Sequence, residues 1–112
     1  VASRYNALLK GVGDVVLPAE MPFAKHVYHL FVIQVTRRDD LQKYLQEHGV
    51  ATGLHYPIPI HLQKCFSFLG HRRGDFPVAE SLADRCLSLP MFPEMTEDQI
   101  QYVCQAVEDF FR

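Results

Sequence analysis

The stretch from His26 to Val35 reads His-Val-Tyr-His-Leu-Phe-Val-Ile-Gln-Val. It is dense in β-branched and aromatic residues, which favour a strand. Both of its alternating sets are apolar: Val27, Phe31, Ile33 and Val35 on one side, Tyr28, Leu30 and Val32 on the other. A strand apolar on both faces has to be covered on both. It is therefore central in its sheet, or one face meets another domain. His26 and His29 fall on opposite faces by parity, so at most one of them can serve any given site.

The remaining segments supply the cover. Ala2 to Lys10 places apolar residues at Ala2, Tyr5, Leu8 and Leu9, a helical spacing stopped by Gly11 and Gly13. A connection punctuated by Pro18 and Pro22 follows, in which Val15 to Leu17 can pair briefly. Thr36 and Asp39 have the spacing of a capping box, predicting a helix to His48 with Leu41, Tyr44 and Leu45 inward and Gly49 as its stop. Val50 to Tyr56 is read as a second strand, closed by Pro57 and Pro59. His61 to Leu69 forms a short helix, and Pro77 opens another at a first helical position, with Ala79, Leu82, Ala83 and Cys86 on one stripe. Leu87 to Leu89 is a short third strand. Thr96 and Gln99 form a second capping-box pattern before a helix that buries Ile100, Val103, Cys104, Val107, Phe110 and Phe111. The order α-β-α-β-α-α-β-α predicts an α+β fold, an α/β sandwich. Its sheet is small and mostly antiparallel, with about three strands and helices packed on it.

With 112 residues, no repeat and no Gly/Ser-rich linker, residues 1–112 read as one domain. Thirteen acidic side chains against eleven Lys and Arg exclude a strongly basic nucleic-acid binder. No apolar run approaches the ~18 residues of a membrane span. The first ten residues lack a signal-peptide pattern, and the chain opens on Val1, which leads to the expectation of a cut or processed piece. Cys65, Cys86 and Cys104 are odd in number and irregular in spacing, which fits reduced, mostly buried thiols in a cytoplasmic protein.

Chemistry concentrates in His55-Tyr56-Pro57-Ile58-Pro59-Ile60-His61. Two imidazoles and a phenol stand at a strand end beside a proline-stiffened turn, a common place for binding residues. Such groups suit a small polar ligand. From spacing alone, an edge-strand pair at His55 and Tyr56 and a helix-capping His61 are the favoured account, because a small pocket needs several convergent groups. A metal site from His55, His61 and Cys65 fits no standard ligand spacing. His48 stands at a helix C-terminus, where the dipole favours positive charge. Arg72 and Arg73 read as a solvated basic loop. Lys10, Lys25, Lys43 and Lys64 are scattered, and none marks a tuned nucleophile.

Three motifs in order carry a resemblance. Gly49 to Gln63, Gly74 to Glu80 and Leu87 to Thr96 resemble the C-terminal region of the PLP-dependent sugar aminotransferases of the DegT/DnrJ/StrS family, and Arg4 and Tyr5 resemble the end of that family's domain-connecting helix. The resemblance implies the small C-terminal domain of an aspartate aminotransferase fold, with the large PLP-binding domain and its Schiff-base lysine absent from this chain. It implies PLP for the full-length enzyme and none bound by this chain alone. It also implies a nucleotide-linked keto sugar as substrate, with His55, Tyr56, His61 and Gln63 as substrate-pocket residues and no catalytic residue here. Lys64 departs from the proline common in relatives. The expected partners are a large-domain chain or a second copy, with no nucleic acid and no membrane. Two functions follow: a domain not competent for transamination alone, or a freestanding dimeric binding module derived from it.

Overall fold

The computed structural model describes residues 1–112. Four α-helices, α1 (Ala2–Leu8), α2 (Arg38–Glu47), α3 (Pro77–Arg85) and α4 (Glu97–Phe110), surround two strands, β1 (Phe31–Gln34) and β2 (Cys86–Leu89). Two 3-10 turns, Ile60–Leu62 and Lys64–Leu69, lie between α2 and α3.

The strands pair antiparallel, with Phe31 opposite Leu89 and Ile33 opposite Leu87. Those four side chains share one face and are buried. Against that face pack Tyr5 and Leu9 from the N-terminal segment, Leu41 and Leu45 from α2, and Ile100, Val103 and Val107 from α4. Tyr5 meets Phe31 ring to ring at 5.0 Å and donates its hydroxyl to the Pro90 carbonyl at 2.8 Å. Burial pushes its phenol well above the ordinary tyrosine range. The opposite sheet face carries Val32, Gln34, Cys86 and Ser88 and looks toward α3 and the proline turn. The sheet is thus a partition, with the core on one side and an open cleft on the other.

Several expectations need correction. The sheet has two strands, not three. Val50 to Tyr56 contributes one antiparallel bridge, Gly53 to Ser88, and Val16 makes the matching bridge to Gln34 on the other edge. The His26–Val35 strand shrinks to Phe31–Gln34 because local hydrogen bonds claim the preceding backbone. The His26 N–H donates to Glu20 Oε1, the Tyr28 N–H donates to His26 Nδ1, and Tyr28 has φ +50°. The Thr36–Asp39 capping box does not form. Arg37 is the N-cap of α2, and the Thr36 N–H donates instead to Asp14 Oδ2 at 2.8 Å. Arg38, buried, donates from Nη1 to the carbonyls of Ala83 and Cys86, both at 3.1 Å. Phe110 and Phe111 are half-buried rather than buried.

Other expectations hold. Pro77 opens α3, and the Thr96–Gln99 capping box is complete, with Gln99 N–H donating to Thr96 Oγ1 and Thr96 N–H to Gln99 Oε1. Gly49 ends α2 at φ +72°, where a side chain would be strained. Cys86 and Cys104 are buried, Cys65 is exposed, and all three are free. No helix is long and apolar enough to cross a membrane.

Candidate functional site

A cleft of about 370 Å³ opens on the free face of the sheet. Val32 and Cys86 form its floor, Ala79 and Leu82 of α3 one wall, and Ile58 and Ile60 the other. His55, Tyr56 and Gln63 also line it, so three of the four residues expected at a substrate site come together.

His55 is held from below. Its Nδ1 lies 2.9 Å from Ser88 Oγ, and its ring turns its Cε1 edge toward Gly53, close enough that a Cβ there would fall 2.6 Å from Cε1. The antiparallel bridge between Gly53 and Ser88 creates this arrangement, since it sets the two residues side by side and puts residue 55 on the same face. The His55–Tyr56 peptide is cis, and the two rings meet edge-on at 5.5 Å. Tyr56 is 74% exposed and offers both its face and its hydroxyl. Gln63 donates weakly to the Ile58 carbonyl at 3.4 Å.

His61 lies elsewhere. Its Nε2 is 2.9 Å from Glu80 Oε1, and the two side chains are only 8% and 10% exposed. It lines a separate apolar hollow with Phe66, Leu69, His71 and Phe76. Glu80 also accepts from the Gly74 N–H at 2.8 Å and the Phe76 N–H at 3.4 Å. Burial works to raise the Glu80 pKa, but the Gly74 N–H, His61 and the Phe76 N–H overcome it and hold the carboxyl below its usual range. This pair ties the proline turn to the loop before α3.

The structure does not gather His55, His61 and Cys65. The first two face different partners, and Cys65 points to Gln63 Oε1 at 3.8 Å. No cluster of three potential metal ligands exists. Arg73 of the basic loop pairs with Asp84 at 2.7 Å, and His48 Nδ1 lies 2.8 Å from the Tyr44 carbonyl at the end of α2.

Sequence reasoning gave no role to Glu80, Ser88 or Gly53. A glycine inside a strand pattern is a signal of close approach, and it marks the place where the His55 ring rests.

The model of the DegT/DnrJ/EryC1/StrS aminotransferase family matches residues 1–108. A pleiotropic regulatory protein of Geobacillus stearothermophilus is 47% identical over 99% of the chain and 30% of its own length. A dTDP-3-amino-3,4,6-trideoxy-alpha-D-glucose transaminase of Streptomyces venezuelae is 36% identical over 98% of the chain and 29% of its own length. Among solved structures, S. venezuelae DesV in complex with a ketimine intermediate superposes on 99% of the chain with a TM-score of 0.95 at 35% identity, again over 30% of that chain. A Brucella abortus aminotransferase of the same family gives a TM-score of 0.88 at 33% identity over 98% of the chain and 29% of its own. The chain thus spans about 30% of the length of the relatives it matches. With the family model matched over residues 1–108 and the fold superposing closely on solved members, the chain belongs to the DegT/DnrJ/EryC1/StrS aminotransferase family.

Proposed function

We propose that this chain is the C-terminal small domain of a nucleotide-sugar aminotransferase, that it supplies substrate-positioning and interface residues, and that it does not transaminate alone. The carrying observation is the composition of the cleft. Its rim is polar through His55, Tyr56 and Gln63, its floor is apolar, and no lysine or arginine lines it. Sugar aminotransferase chemistry is consistent with PLP in full-length relatives, where the cofactor supplies the electron sink for amino transfer. The residues of this cleft do not fit that group by themselves, since they offer neither an amine to bind it nor a cation for its phosphate. The motifs from Gly49 to Gln63 and from Leu87 to Thr96, which resemble the family's C-terminal region, support the placement in the longer enzyme.

In this reading the chain binds and orients. Tyr56 presents its ring face and hydroxyl to a sugar or base, His55 hydrogen-bonds the ligand, and Gln63 adds an amide at the rim. His61 contributes indirectly, by fixing the turn through Glu80. The partners are a nucleotide-linked keto sugar and the large domain.

The test is an amide-resolved NMR titration with UDP-N-acetylglucosamine and dTDP-glucose, with and without PLP, beside an assay of amino transfer from glutamate. Shifts clustered on His55, Tyr56 and Gln63 with no turnover are expected. Turnover by the chain alone refutes the claim of incompetence, and silence from both sugars refutes the positioning role.

The second reading, a freestanding dimeric binding module, draws on the exposed apolar side chains of Ile60, Phe68, Leu69, Phe76 and Val78. Sedimentation equilibrium separates the two. A stable dimer without any added domain favours the module, and a monomer removes it.

A further inference from the structure

Ser88 is 4% exposed, and its hydroxyl makes one hydrogen bond, to His55 Nδ1 at 2.9 Å. Its backbone N–H and carbonyl are already committed to Gly53 across the bridge, at 2.8 and 3.0 Å. A buried hydroxyl proton without an acceptor is costly. The imidazole nitrogen is the one acceptor within reach, so the Ser88 O–H donates and His55 Nδ1 accepts. A neutral imidazole that accepts at one nitrogen carries its proton on the other. His55 Nε2 is therefore an N–H donor, and no protein group takes its proton.

The seat holds the ring beside that hydroxyl. Gly53 lets the Cε1 edge of the ring come close to the backbone, with the position of a Cβ only 2.6 Å from Cε1 and 3.3 Å from Nδ1. The ring cannot carry its proton on Nδ1 instead without leaving the Ser88 hydroxyl proton without an acceptor.

We propose that Ser88 is a positioning residue that locks His55 in the Nε2–H tautomer, so that this wall of the cleft offers a hydrogen-bond donor and selects a ligand oxygen that accepts. That ligand-facing consequence rests on the substrate-positioning reading above; the tautomer itself does not. The oxygen is a hydroxyl, carbonyl or phosphoryl acceptor, chemistry that a nucleotide sugar carries several times over.

The experiment is a two-bond proton–nitrogen correlation spectrum of the histidine rings in the ligand-free chain at about pH 8, where an ordinary imidazole is neutral. The pattern distinguishes the two tautomers directly. For His55 the Nε2–H form is expected to dominate. In Ser88→Ala its ratio to the Nδ1–H form is expected to fall about two- to tenfold, and Ser88→Thr, which keeps a hydroxyl, is expected to restore it. A merely structural role for Ser88 would not move that ratio. A wild-type ring protonated at Nδ1, or a ratio unmoved by Ser88→Ala, overturns the proposal, and the wild-type reading stands even where a variant does not fold. UDP-N-acetylglucosamine is then added to the wild-type chain. A shift of the His55 Nε2–H resonance supports the donor role. An Nε2–H ring that stays silent supports the Ser88 lock and overturns the substrate-positioning reading instead.

Discussion

Gly53→Ala perturbs the site through space alone. Gly53 is not among the glycines with a left-handed backbone, so alanine meets no conformational penalty there. Its Cβ would lie 2.6 Å from His55 Cε1, and the three nearest atoms all belong to that ring. The flexible imidazole yields rather than the backbone, and it leaves Ser88. The orphaned buried hydroxyl costs about 1–3 kcal/mol. Alanine also restricts the unfolded chain, which returns about 0.4–1 kcal/mol. The net loss is about 0.5–2 kcal/mol, read from urea unfolding. The decisive comparison is with Ser88→Ala. With no hydroxyl left to orphan, adding Gly53→Ala there should be neutral or stabilising by about 0.4–1 kcal/mol. The two substitutions are thus strongly non-additive. Costs that add to within about 0.5 kcal/mol would refute the seat as described.

Ile33→Ala, which empties a fully buried position facing Leu87, should cost about 2–5 kcal/mol by urea unfolding. Thr96→Ala removes one half of a complete capping box and should cost about 1 kcal/mol, with the loss appearing in thermal melts followed by circular dichroism. Glu80 has its carboxyl pKa depressed in the folded state, so it contributes stability above the unfolded carboxyl pKa that is lost as pH falls through the folded value. Urea midpoints measured from neutral to acid pH should therefore fall less steeply in Glu80→Gln than in the wild type, and equal slopes would exclude Glu80 as a source of acid sensitivity.

Where the chain's own chemistry closes a turn, the fold is readable from the sequence. Pro77 at the head of α3, Gly49 after α2 and the Thr96–Gln99 box each act within a few residues, and each sits as expected. Errors arise where a distant partner decides, or where side chains take backbone groups that composition assigns to a ladder. The helix after Thr36 starts at Arg38 because that guanidinium is drawn inward to the carbonyls of Ala83 and Cys86, more than forty residues on. His26 to Leu30 has strand composition, yet Glu20 and His26 take up backbone N–H groups that a ladder would need. The site divides in the same way. The proline turn was visible, and it does bring His55, Tyr56 and Gln63 to one cleft. That His61 turns away to Glu80, and that Ser88 supports His55, depends on pairs separated by 19 and 33 residues that no local pattern encodes.

The two single-residue bridges also bear on solubility. A two-stranded ribbon has two outer edges, and an open edge is a template for another chain. Here Val16 occupies the edge of β1 and Gly53 that of β2, each through a reciprocal pair of backbone hydrogen bonds. The segment that seats the His55 ring is thus also the guard of one edge. Loosening it would unseat the His55 ring and uncover an open strand edge in the same event, which ties the order of this cleft to resistance against aggregation.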